Sequence, residues 1–210
     1  MSNKFVIAIG SSAGGLDPMR TFFDHVPHDQ ATYIILRHLP IEYKSVLHDI
    51  LRRHSKLEII EAADNEIIQK DKVYMAPPSM DMTIIGDKLK LHLRVTKSRI
   101  LNNSIDSFLI SLAESKGKNS IAVILSGGGS DGTRGIADIK AAGGMVIAQD
   151  PETCEFPFMP ESAIKSGYVD HILPVAEMPS LIQRHANSII KNENVVEKLL
   201  DMGKNLLPPQ

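Results

Sequence analysis

The sequence predicts an α/β fold: a three-layer, doubly wound, mostly parallel sheet with an antiparallel hairpin inserted at one edge. Three observations predict it. Short apolar runs of strand length recur along the chain and alternate with longer amphipathic stretches of helical period. Two of those runs end in turns rich in glycine and serine, Gly10 to Gly15 and Ser126 to Gly132. The alternation breaks once, where Met82 to Ile85 and Lys88 to Leu93 flank Gly86-Asp87 and read as a hairpin.

Lys4 to Ile9 is a buried parallel strand, and Leu16 to Val26 opens a helix with Asp17 and Pro18 as start signals. Ala31 to Leu36 is a second strand, stopped by Pro40, so that His38 falls at a strand's carboxyl end. Tyr43 to His54 is amphipathic, with Val46, Leu47, Ile50 and Leu51 on one face. Leu57 to Glu61 and Lys72 to Ala76 are strands, the latter closed by Pro77-Pro78, and the hairpin follows. Arg94 to Asn103 is a polar loop. Ser104 is a candidate N-cap for a helix that Gly117 closes. Ser120 to Leu125 is the next core strand, followed by the glycine turn and a helix through Ala142. Met145 to Ala148 is a strand, Gln149 to Pro160 a loop, Glu161 to Ser166 a short helix, and Tyr168 to Leu173 a last strand. A helical region begins at Met178. The whole reads as one domain over 1–210, with a core of about 4–187 and a C-terminal helix and tail over 188–210.

Composition narrows the function. Charged residues make up 23% and the formal net charge is -2, which gives no footing for a nucleic-acid partner. No apolar run has membrane-spanning length and no secretory signal is visible, so neither membrane insertion nor export is expected. The single cysteine, Cys154, excludes an internal disulfide and a multi-cysteine metal site, which favours a reducing, cytoplasmic setting. No cofactor and no metal are expected.

In a doubly wound sheet, ligands bind beyond the carboxyl ends of the strands. Three loops with reactive side chains leave that edge, carrying Ser12, His38 and Asp131. Gly10-Ser11-Ser12-Ala13-Gly14 fits Gly-x-Ser-x-Gly, in which small neighbours let a serine oxygen project. Histidine is the base that can take its proton, and aspartate can fix the imidazole tautomer. The competing order is Ser12, Asp131, then His171 or His185. Each residue also has a plain structural role open to it: Ser12 or Asp131 as helix caps, His38 as a bonded core histidine. The run Gly127 to Gly129 could cradle a phosphate, although no nucleotide-binding signature accompanies it.

These segments occur together and in order with others: Arg37-His38-Leu39-Pro40, Val73 to Pro78, Ser104-Ile105-Asp106, Val123 to Gly132, Ala142-Gly143-Gly144, Ala148-Gln149-Asp150, Met159-Pro160 and Ala163-Ile164. Over roughly Phe5 to His185 the chain resembles the catalytic domain of the chemotaxis protein-glutamate methylesterases (CheB). The resemblance implies Ser12 as nucleophile, His38 as base and Asp131 as the orienting acid. It implies hydrolysis of glutamyl γ-methyl esters on the cytoplasmic helices of methylated chemoreceptors, with glutamine deamidation as a second activity. It maps a backbone oxyanion donor to Gly128, where the family commonly has methionine; Ala13 is the other candidate amide. Glu161 stands where the family commonly has arginine, and Arg37 where it commonly has glutamine. With Met159, these two form the expected substrate rim. The family's usual N-terminal receiver is not in this sequence. The chain is expected to be of the type found in fusions with methyltransferase and sensor kinase domains. The alternative is a catalytically weak scaffold or regulatory module of a chemosensory or two-component fusion protein.

Overall fold

The computed structural model describes residues 5–37, 44–94 and 103–204. Seven strands, β1 (Val6–Ser11), β2 (Thr32–Arg37), β3 (Glu58–Glu61), β4 (Lys72–Met75), β7 (Ser120–Ile124), β8 (Met145–Gln149) and β9 (His171–Leu173), form one sheet in the order β3-β4-β2-β1-β7-β8-β9. Every pairing in it is parallel. The chain builds outward from β1 on one side through β2, then on the other through β7. The strand order therefore reverses between β1 and β7, the place where such sheets bind ligands.

β1 is buried at all six positions, as expected of a central parallel strand. Its side chains alternate between two cores. Ile7 and Ile9 face α1 (Leu16–His25), α2 (Lys44–His54) and α6 (Met178–Lys204), whose Met19, Phe22, Leu51 and Ile182 complete that layer. Val6 and Ala8 face α3 (Ser104–Lys116), α4 (Gly135–Ala141) and α5 (Phe158–Lys165), through Phe108, Leu112, Ile136 and Ala163. The predicted hairpin is β5 (Met80–Ile85) and β6 (Lys88–Leu93), antiparallel and a sheet of its own. It lies on α3: Ser111 Oγ accepts the Ile84 amide and Ser115 Oγ the Gly86 amide.

Three boundaries differ from the sequence reading for identifiable reasons. α5 starts at Phe158, inside the stretch read as loop, because Pro160 sits in its first turn, where a missing N–H costs nothing. α4 starts only at Gly135, because a turn closed by the Thr133 amide on Ser130 O at 3.1 Å precedes it. The last strand is His171–Leu173 only, since the Asp170 carboxylate, rather than another backbone rung, accepts the Val146 amide.

Candidate active site

Ser12 follows the last residue of β1 and is half-buried. Its amide donates to Ser126 O at 3.0 Å, which ties it to the loop after β7. The turn closes when the Gly15 amide reaches Ser12 O at 3.2 Å, and α1 begins one residue later. Gly14 makes this possible. Its φ is +67°, and a Cβ there would stand 2.8 Å from the Phe156 ring and 2.9 Å from Ser126 Oγ. The positive end of the α1 dipole thus lies directly behind Ser12.

The loop after β7 is stapled to the same place. Ser126 Oγ lies 3.1 Å from Ala13 O and accepts the Phe156 amide at 3.1 Å. Gln149, buried at the end of β8, accepts the Ser126 amide at 2.9 Å and donates to Thr153 O at 3.1 Å. Gly127 donates to Phe156 O at 2.9 Å and accepts from the Met159 amide at 3.0 Å. A Cβ on Gly127 would stand 3.1 Å from Ser12 Cβ and would run into the Met159 thioether. Met159 is therefore the floor under the glycine loop, 1% exposed, and not part of an open rim.

The amides of Ser12 and Gly127 are thus occupied. Among the described residues no backbone acceptor takes those of Ala13 and Gly128, and both residues are exposed.

Asp131 is buried, and its carboxylate accepts the Ile105 amide at 3.0 Å and the Asp106 amide at 2.9 Å. It caps α3, not the helix that follows it, and supplants the cap read at Ser104. Asp106 answers it: its Oδ1 accepts the Arg134 amide at 2.9 Å and the Gly135 amide at 2.8 Å, capping α4. Each helix start is held by an aspartate from the other's segment. Burial pushes the Asp106 carboxyl above its ordinary range; the Gly135 and Arg134 amides oppose this and the Asp131 charge adds to it.

His38 lies outside the described residues. Arg37, which precedes it, is the register partner of Ser11 at the end of β2. Glu161 lies in the first turn of α5, paired with Lys165 at 3.4 Å. The competing histidines are far from Ser12. His171 opens β9, and His185 packs edge-on against Phe5 with ring centroids 6.3 Å apart. Phe5 precedes β1, so a strand of six residues, ~20 Å, separates it from the serine. The order ending in His171 or His185 is therefore ruled out. Among the described residues no group of three or more His, Cys, Asp and Glu is placed to hold a metal ion.

Comparison with known proteins decides the family. The profile of the family described as "CheB methylesterase" matches residues 7–182. The chain belongs to the CheB methylesterase family. The "protein-glutamate methylesterase/protein-glutamine glutaminase" of Thermotoga maritima is 36% identical over 183 residues, 85% of this chain and 53% of that protein. A Xanthomonas campestris protein of the same description, numbered 1, is 31% identical over 173 residues, 81% and 48%. An "uncharacterized 104.1 kDa protein" of Rhodobacter capsulatus is 41% identical over 126 residues, 60% of this chain and 13% of its own. This chain spans about half the length of the named methylesterases. The crystal structure of the T. maritima CheB methylesterase catalytic domain superposes with TM-score 0.77 at 32% identity, covering 87% of this chain and 99% of that one.

Within this CheB fold, sequence reasoning gave no role to Asp106, Ser126 or Gln149. The available signal was a polar residue at an apolar strand's end, as in Val146-Ile147-Ala148-Gln149, where burial demands a partner.

Proposed function

We propose that this chain hydrolyses glutamyl γ-methyl esters on the cytoplasmic helices of methylated chemoreceptors, releasing glutamate and methanol. Ser12 Oγ attacks the ester carbonyl while His38 takes its proton. The oxyanion is held by the Ala13 and Gly128 amides. The tetrahedral intermediate expels methoxide, which leaves as methanol with the proton His38 returns. Water then attacks the glutamyl-serine ester by the same route and frees the carboxylate. Asp131 orients His38, and deamidation of glutamine would follow the same steps with ammonia leaving.

One observation carries the reading. Ser12 stands on a tight turn at the strand-order switch point, in contact range of the glycine loop, and among the described residues the amides there without a backbone acceptor belong to Ala13 and Gly128. Names of relatives that cover half their length add support. Membership of a larger signalling chain with methyltransferase or kinase domains, in the cytoplasm, is part of the proposal. The match to a small part of a 104.1 kDa protein supports it, and no described helix is long and apolar enough to cross a membrane.

The test is methanol release from a carboxyl-methylated chemoreceptor fragment, with Ser12→Ala and His38→Gln alongside. Release by the parent only is expected. Undiminished release by folded Ser12→Ala overturns the assignment. Silence of the parent with tight binding of the fragment favours the scaffold reading.

A further inference from the structure

A cavity opens on the same edge of the sheet, lined by no residue of the glycine loop. It has a volume of about 540 Å³ and lies at the carboxyl ends of β2, β3 and β4, closed on one side by α2. Ile35, Ile59, Met75, Pro77 and Met80 give it apolar walls. Arg37 is the exception among them. Arg37 lines the cavity and is half-buried, and its Nε, fully buried, has no hydrogen-bond partner among the described residues. Burial pulls the Arg37 pKa down, and no carboxylate among the described residues offsets it.

The other charged groups around the cavity differ from Arg37. Arg94 is held by Asp81, 2.8 Å away, and by Met80 O. Glu58 is paired with Lys72. Asp49 and Arg52 are exposed on α2. A half-buried cation with no counterion among the described residues is costly, so the cavity face of Arg37 has the chemistry of a carboxylate seat. One such cation matches one carboxylate, and the exposed Asp49 on the cavity's wall opposes a multiply charged anion such as a nucleotide. The volume lies within the range of small-molecule sites and far exceeds the needs of one acidic side chain.

We propose that this cavity is a second ligand site, for a small organic monocarboxylate with an apolar body, anchored by Arg37. The proposal does not rest on ester hydrolysis. Arg37 is the register partner of Ser11, so a ligand seated there lies one strand from the nucleophile turn. That proximity makes it a place from which a metabolite can act on the esterase.

The experiment is titration of the Ser12→Ala protein with hexanoate and phenylacetate, followed by amide NMR. The neutral amides hexanamide and phenylacetamide, inorganic phosphate and a short glutamyl peptide serve as comparisons. The expected result is saturable shifts at Ile35, Met75 and Met80 for the carboxylates, with the amides at least about tenfold weaker. Arg37→Gln should weaken the carboxylates about tenfold or more and leave the apo protein no less heat-stable, and Arg37→Lys should keep part of the affinity. No saturation by about 20 mM overturns the proposal, as does equal binding of acids and amides. Undiminished binding by Arg37→Gln, or tighter binding of phosphate or the glutamyl peptide, also overturns it. The comparison of acid with amide is made on the parent arginine, so it stands even if a variant fails to fold.

Discussion

Replacing Asp106 tests the crossed caps that hold the glycine loop. Its Oδ1 is the shared acceptor of two amides, Arg134 at 2.9 Å and Gly135 at 2.8 Å. Asp106→Ala removes both bonds and leaves a buried donor at Gly135 and a part-buried one at Arg134. The first costs about 2 kcal/mol and the second about 1, so the variant should lose about 3 kcal/mol. Asp106→Asn keeps a single neutral oxygen where both amides already point, and should lose less than about 1 kcal/mol. In urea unfolding with a slope of about 2 kcal/mol per molar, the Ala midpoint falls by about 1.5 M and the Asn midpoint by under about 0.5 M. The two variants also differ in pH dependence. Burial raises the Asp106 pKa in the folded state, so the folded protein binds the proton more tightly than the unfolded chain does. Stability from this group therefore falls as pH rises from the ordinary carboxylate value to the raised one, and Asp106→Asn abolishes that slope. Equal losses for Ala and Asn, or an Ala loss below about 1 kcal/mol, would refute the crossed-cap account.

Adjacent glycines should respond in opposite ways. Gly127→Ala forces a methyl group against Ser12 Cβ and the Met159 side chain, and should cut methanol release at least about tenfold with about 2 kcal/mol lost in thermal unfolding. Gly128→Ala meets nothing within 4 Å and should leave stability unchanged or raise it by about 0.5 kcal/mol in the same assay. Gln149→Ala strands the buried Ser126 amide and should cost about 2 kcal/mol, read by urea unfolding. The Cys154 thiol is pushed up to about 11, chiefly by burial. Its alkylation by iodoacetamide should be slow at pH 8 and rise about tenfold per pH unit up to about pH 10.

The strands and the hairpin were legible because they are local: apolar runs, glycine punctuation and period carry them. The turn after β1 was legible for the same reason, since Gly10 to Gly15 announces a tight backbone. The bonds that hold the site are long-range and leave no period. Asp131 reads as a cap for the helix after it and in fact caps α3, 25 residues earlier in sequence at Asp106. The resemblance puts Met159 on the rim; only the packing of Gly127 over its sulfur shows it to be floor. Nothing in the sequence tells that Arg37 Nε has no partner among the described residues, because that depends on which acceptors fold elsewhere.

The Ser126 hydroxyl reaches back to Ala13 across 113 residues and forward to Phe156 across 30. During synthesis the ribosome delivers the serine turn first and its clamp last. β1 itself waits for β7 to cover its second edge. A nascent chain that ends before residue 156 therefore carries Ser12 without the Phe156 contacts that complete its frame.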